Sequence, residues 1–139
     1  MNEQANIELI RKVYAAFAAG DAPTILANIA DDAPWINYGP SSVPYAGSRA
    51  GKAQIVEFFQ AIANSTTGGV VEAEEFIAQG DNVVATGRYK ATVQNTGIEI
   101  DSPIAHVFTV QNGKIVKWVG YSDSAQVAAA HTGVAAAAH

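Results

Sequence analysis

Apolar residues recur at Ile7, Ile10, Val13, Tyr14 and Phe17, the three-and-four spacing that lays them along one stripe of a helix. Gly20 stops this helix. Asp21 then caps a shorter one that tolerates Pro23 in its first turn and buries Ile25, Leu26 and Ile29. Asp31, Asp32 and Pro34 break it, and Trp35, Ile36, Asn37 and Tyr38 read as a short strand before a turn-rich loop to Gly47. Between Gly51 and Asn64 the positions Ile55, Phe58, Phe59 and Ile62 repeat the helical stripe, which Gly68-Gly69 ends. Beyond residue 70 the texture turns β-branched: Val70 to Gln79, Val83 to Val93, Ile98 to Val110 and Ile115 to Tyr121 predict four long strands. Gly80-Asp81-Asn82, Gln94 to Gly97 and Asn112-Gly113 are hairpin connections, which makes the sheet an antiparallel meander. Ser122 or Asp123 caps a short final helix of Ala and Val. Helices first and strands last predict an α+β domain over residues 1–130, three N-terminal helices on one face of a curved sheet, with 131–139 as a flexible Ala-rich tail.

Register turns this spacing into faces. A two-residue turn at Asn112-Gly113 sets Gln111 opposite Lys114, and counting back pairs Val107 with Trp118, Ala105 with Gly120 and His106 with Val119. One face then carries Ala105, Val107, Thr109, Val116, Trp118 and Gly120. The other carries Ile104, His106, Phe108, Val110, Ile115, Lys117, Val119 and Tyr121. Both faces are apolar, and a second apolar face implies a second protein surface over it; a homodimer through Phe108, Val119 and Tyr121 is the simplest expectation. On the first face the small residues Ala105 and Gly120, with Ala85 and Gly87 from the preceding strand, leave room for a cleft, unless Phe58 and Phe59 fill it.

Composition narrows the classes of function. The chain has 139 residues, 49% hydrophobic and 15% charged, enough for one sizeable core without staples. Cysteine is absent, so disulfide and thiolate chemistry are excluded. A net charge of −5 with scattered basic residues argues against nucleic acid as a partner. Neither a signal-peptide pattern nor a membrane-spanning apolar run is present, and a cytoplasmic protein is expected. His106, His131 and His139 are too far apart for a metal motif, and no phosphate-binding loop or nucleophile elbow occurs, so no metal or cofactor is expected.

The stretches VYAAFAAGDAPTILANIADDAPW, YAGSRAGKAQIVEFF and HVFTVQNGKIVKWVGYSD together resemble the ketosteroid isomerase and SnoaL-like polyketide cyclase superfamily over about Asn6 to Ala130. The resemblance implies the cystatin-like cone, with a cavity for a small apolar organic molecule. In ketosteroid isomerase an aspartate base works against an oxyanion hole of a tyrosine and a protonated aspartate. The matching positions here hold Asn37, Val13 and Ala105, so steroid isomerisation by that mechanism is not expected. The SnoaL-like pattern instead matches His106 and Asp123, the positions that would inherit acid/base roles in a cofactor-independent cyclase, isomerase or hydrolase. Each has a competing structural reading: Asp123 sits where a helix cap is wanted, and His106 lies on the dimer face unless a bulge reverses the parity. Trp35 and Asn37 share the parity that faces the cavity in this superfamily, Asn37 to hydrogen-bond a ligand carbonyl and Trp35 to cover its apolar part. Phe59, Val107 and Trp118 complete the expected lining. The competing class is a non-catalytic ligand-binding or dimerisation module with the same cavity.

Overall fold

A computed structural model of the chain describes residues 2–134. Helix α1, Glu3–Ala18, is capped by the Asn2 side chain and buries Ile10, Val13 and Ala16. After Gly20, at a φ of 70°, Asp21 caps α2, Ala22–Ala27, by accepting from the Thr24 amide. This helix is shorter than the apolar spacing implies, because Ile29 leaves it to form an isolated bridge with Ile115. Strand β1, Pro34–Asn37, folds back on β2, Gly47–Ala50, a strand that the turn-rich loop hid, before α3, Lys52–Ser65, buries Ile55, Phe58 and Ile62.

Four long strands follow: β3, Thr66–Gln79; β4, Asn82–Val93; β5, Glu99–Gln111; and β6, Lys114–Ser122. They form the expected meander, and β1 adds to it in parallel along β6, giving a six-stranded sheet in the order β2-β1-β6-β5-β4-β3. Gly68-Gly69 does not end the third helix's neighbourhood as its composition suggests; it lies inside β3 at an irregularity between Thr67 and Val70. Gly87 is needed where the sheet bends, since a Cβ there would stand 2.1 Å from the Glu72 carbonyl oxygen beside the β3 bulge. The bend wraps the sheet around α1 and α3, and one apolar cluster joins Ile10 and Val13 of α1 and Phe58 of α3 to Trp35, Phe108 and Trp118 of the sheet.

The last helix, α4, Ser124–Thr132, starts on Asp123, whose side chain accepts from the Gln126 amide, and ends on Gly133 in the left-handed region. Here the expectation of a tail from residue 131 is corrected. His131 is buried, and its Nε2 lies 2.9 Å from the Tyr45 hydroxyl. Residues 135–139, the rest of that expected tail, lie outside the described part. No helix among the described residues is long and apolar enough to cross a membrane.

Candidate functional site

One residue of β6 decides what the cavity contains. Val110 pairs with Ile115 but Thr109 pairs with Lys117, so Val116 is an extra residue and the ladder slips by one. From there His106 faces Gly120, Phe108 faces Trp118 and Val107 faces Val119. The register counted back from Asn112-Gly113 holds for Gln111 and Lys114 and fails beyond the bulge. His106 and Phe108, expected on the outer face, therefore point inward. Val107, expected to line the cavity, stands on the outer face.

The cavity so formed is about 100 Å³ in volume. Trp35 and Trp118 are paired across β1 and β6, with rings stacked 4.8 Å apart at 28°, and Phe58 and Phe59 close it from α3. The space expected at Gly120 is taken by the strand's own Trp118: a Cβ at Gly120 would lie 2.5 Å from that indole and 3.1 Å from Asn37 Oδ1. Asn37 lines the cavity as expected, with its amide nitrogen donating to the Tyr45 carbonyl at 3.3 Å. Tyr38 and Tyr121, both about half exposed, lie against each other at the rim with centroids 5.3 Å apart.

At the inner wall the Tyr14 hydroxyl lies 2.8 Å from His106 Nδ1. Helix α1 delivers Tyr14 one residue past the position matched to the isomerase tyrosine, and the ring reaches β5 between Phe76 and Phe108. Burial sets the electrostatics of both groups. It pushes the His106 imidazole down to about 3 and holds the Tyr14 phenol well above the usual phenol range, so at neutral pH both are uncharged. The other side chains on the wall with a hydroxyl or amide are Tyr38, Tyr45, Tyr89, Tyr121, Asn37, Ser122 and Ser124; among the described residues no lining residue is Asp, Glu, Lys or Arg.

Asp123, the expected partner of His106, is not on this wall. Its carboxylate caps α4 and its backbone N–H donates to Ser102 Oγ at 2.9 Å. The structure thus brings together His106, Trp35, Asn37, Phe59 and Trp118 and leaves out Asp123 and Val107. It adds Tyr14. A buried tyrosine needs a partner for its hydroxyl, which was the available signal. Among the described residues no group of three His, Asp or Glu side chains is placed to hold a metal ion.

The family model for the SnoaL-like domain matches residues 10–118. The chain belongs to this SnoaL-like domain family. No curated protein matches it in sequence. Among solved structures, an NTF2-like protein of unknown function from Burkholderia pseudomallei is 26% identical, with a TM-score of 0.86 over 95% of this chain and 99% of that one. TerC, crystallised with polyporic acid, is 27% identical, with a TM-score of 0.84 over 92% of this chain and 98% of the other. A protein of unknown function with a cystatin-like fold from Xanthomonas campestris, at 21% identity and a TM-score of 0.79 over 94% and 97%, bears on fold alone. This SnoaL-like chain therefore has the α+β cone that its sequence resembles.

Proposed function

We propose that this SnoaL-like protein binds a small, largely apolar organic molecule in the cone and moves a proton on it, without metal or nucleotide, as a cyclase, isomerase or hydrolase. The observation that carries this reading is the inward His106, bonded to Tyr14 inside a wall that is otherwise uncharged. A neutral imidazole backed by a phenol can hydrogen-bond a carbonyl oxygen on the ligand as charge develops there, while a solvent water admitted at the rim takes the proton that leaves the neighbouring carbon and returns one, or a deuteron, to it. TerC's crystallisation with an organic molecule supports the choice of ligand class. A second reading, a non-catalytic ligand-binding or dimerisation module, is favoured by the lack of a carboxylate base among the described residues of the lining.

The two readings separate on proton exchange. A panel of small enolisable ketones incubated with the protein in D₂O should take up deuterium beside the carbonyl, followed by proton NMR, and His106→Leu should slow that uptake by about a hundredfold. Ketones that bind and return without deuterium at an enhanced rate would make the protein a binding module.

The protein is further proposed to be a cytoplasmic homodimer. Ile77, Val84, Val107, Val119 and Ile36 form one continuous apolar row across the outer face from β3 to β1, and Ile77 is 54% exposed. Phe108, expected on that face, belongs to the cavity instead.

A further inference from the structure

Three facts about the Tyr14–His106 pair bear on where its protons are. The Tyr14 hydroxyl has a single proton and, among the described residues, a single hydrogen-bond partner, His106 Nδ1. Its phenol stays protonated because it is buried. A neutral imidazole whose Nδ1 accepts must carry its one ring proton on Nε2. That second nitrogen has no partner among the described residues, is not among the buried unpaired atoms, and belongs to a side chain on the cavity wall. With the Tyr14 hydroxyl donating to Nδ1, His106 offers the cavity a hydrogen-bond donor at Nε2.

The rest of the wall limits what can accept that bond. With no cationic side chain among the described residues of the lining, an anionic ligand would enter without a counter-charge there, at a desolvation cost that an apolar wall cannot offset. A volume of about 100 Å³ is somewhat smaller than the roughly 150 Å³ of an engineered apolar cavity that holds benzene, so about one ring fits inside. Anything larger must project past Tyr38 and Tyr121 at the rim.

We propose that the cavity selects an uncharged organic molecule whose enclosed part is about one ring, through a carbonyl-type oxygen that accepts from His106 Nε2–H, with Tyr14 as the positioning residue that fixes this tautomer. The proposal rests on the cavity being a small-molecule site and names what that site prefers.

Three one-ring probes test it: acetophenone, which has the carbonyl; ethylbenzene, which lacks it; and benzoate, which adds a charge. The only two tryptophans of the chain, Trp35 and Trp118, are both in the cavity wall, so quenching of their fluorescence reports binding at this place. The ratio of acetophenone to ethylbenzene affinity should fall about tenfold in His106→Leu, a comparison from which the probes' different solubilities cancel. Benzoate should bind at least tenfold more weakly than acetophenone. Nitrogen NMR of the wild-type protein should find the ring proton of His106 on Nε2, and Tyr14→Phe, which keeps the ring packing, should release that single tautomer.

An unchanged affinity ratio in His106→Leu, a ring proton on Nδ1, benzoate binding as tight as acetophenone, or ethylbenzene binding alone would each overturn the proposal while leaving a small-molecule cavity in place. If no probe quenches the wild-type protein, the small-molecule reading falls with it.

Discussion

Two tyrosine–histidine pairs sit in this cone and are built from the same groups for different ends. Tyr14 and His106 are partly buried, meet at 2.8 Å on the cavity wall, and leave one imidazole nitrogen without a partner among the described residues. Tyr45 and His131 are nearly sealed, meet at 2.9 Å, and join the loop after β1 to the last turn of α4. Around the second pair the chain adds fastenings: Thr96 Oγ1 donates to the Ala130 carbonyl, and the Asp101 amide donates to Gln126 Oε1. The difference teaches that a buried histidine is read by its second nitrogen and its neighbours. The first pair is open to a ligand, whereas the second is a clasp.

The two pairs differ most in what they contribute to stability. His131→Ala removes a hydrogen bond and leaves the buried Tyr45 hydroxyl without its partner, so it should cost about 2–3 kcal/mol in denaturant unfolding and expose α4 to proteolysis. His106→Leu, which trades a polar group on an apolar wall for an apolar one, should cost much less. Equal losses from the two variants would erase the distinction.

A second effect is read from pH. Burial lowers both imidazoles in the folded state, His106 to about 3 from 6.5. Between those values the unfolded chain binds the proton and the folded chain does not, so stability rises with pH there and is lost as pH falls below about 6.5. Each fully neutral buried histidine contributes a slope of about 1.4 kcal/mol per pH unit at most. His106→Leu should remove its share between pH 4.5 and 6.5, above the range where the lowered Asp21 and Asp101 add losses of the same sign. A chemical-denaturation series in which His106→Leu keeps the wild-type slope would place the folded-state titration elsewhere.

The smallest effect concerns the helix that carries the clasp. Asp123→Ala should cost about 1 kcal/mol by removing the cap of α4, and Asp123→Asn only a few tenths, both with deuterium uptake per folded molecule unchanged. A stable Asp123→Asn protein that lost uptake would return the carboxylate to the chemistry.

Much of this fold is legible in the sequence because its elements are long and strongly periodic. Helices α1 and α3 and the four long strands follow from spacing alone, and Asn112-Gly113 places its turn correctly. Strand β2 is hidden because Gly47, Ser48, Arg49 and Ala50 carry no apolar alternation. The site is half legible for a sharper reason. Trp35, Asn37, Phe59 and Trp118 reach the cavity as expected, but the turn fixes register only as far as the first irregularity. One bulged residue, Val116, exchanges Val107 for His106 and Phe108, and no composition signal marks a bulge between Ile115 and Lys117. His131 is missed for another reason: α4 is mostly alanine, too weakly apolar to announce that it docks.

The same bulge makes the inside of the cone a matter of phase. With one residue fewer before Trp118, Lys117, Val119 and Tyr121 would turn inward and Trp118 outward, and the Trp35–Trp118 stack that ties β1 to β6 would be lost. A lysine would then face inward beside the fully buried Val110, where a charge is costly. Surface loops absorb single insertions and deletions, but between Gly113 and Trp118 such a change acts on the fold as a frameshift acts on a gene. This stretch is constrained in length as strictly as the buried Ile115 within it is constrained in kind.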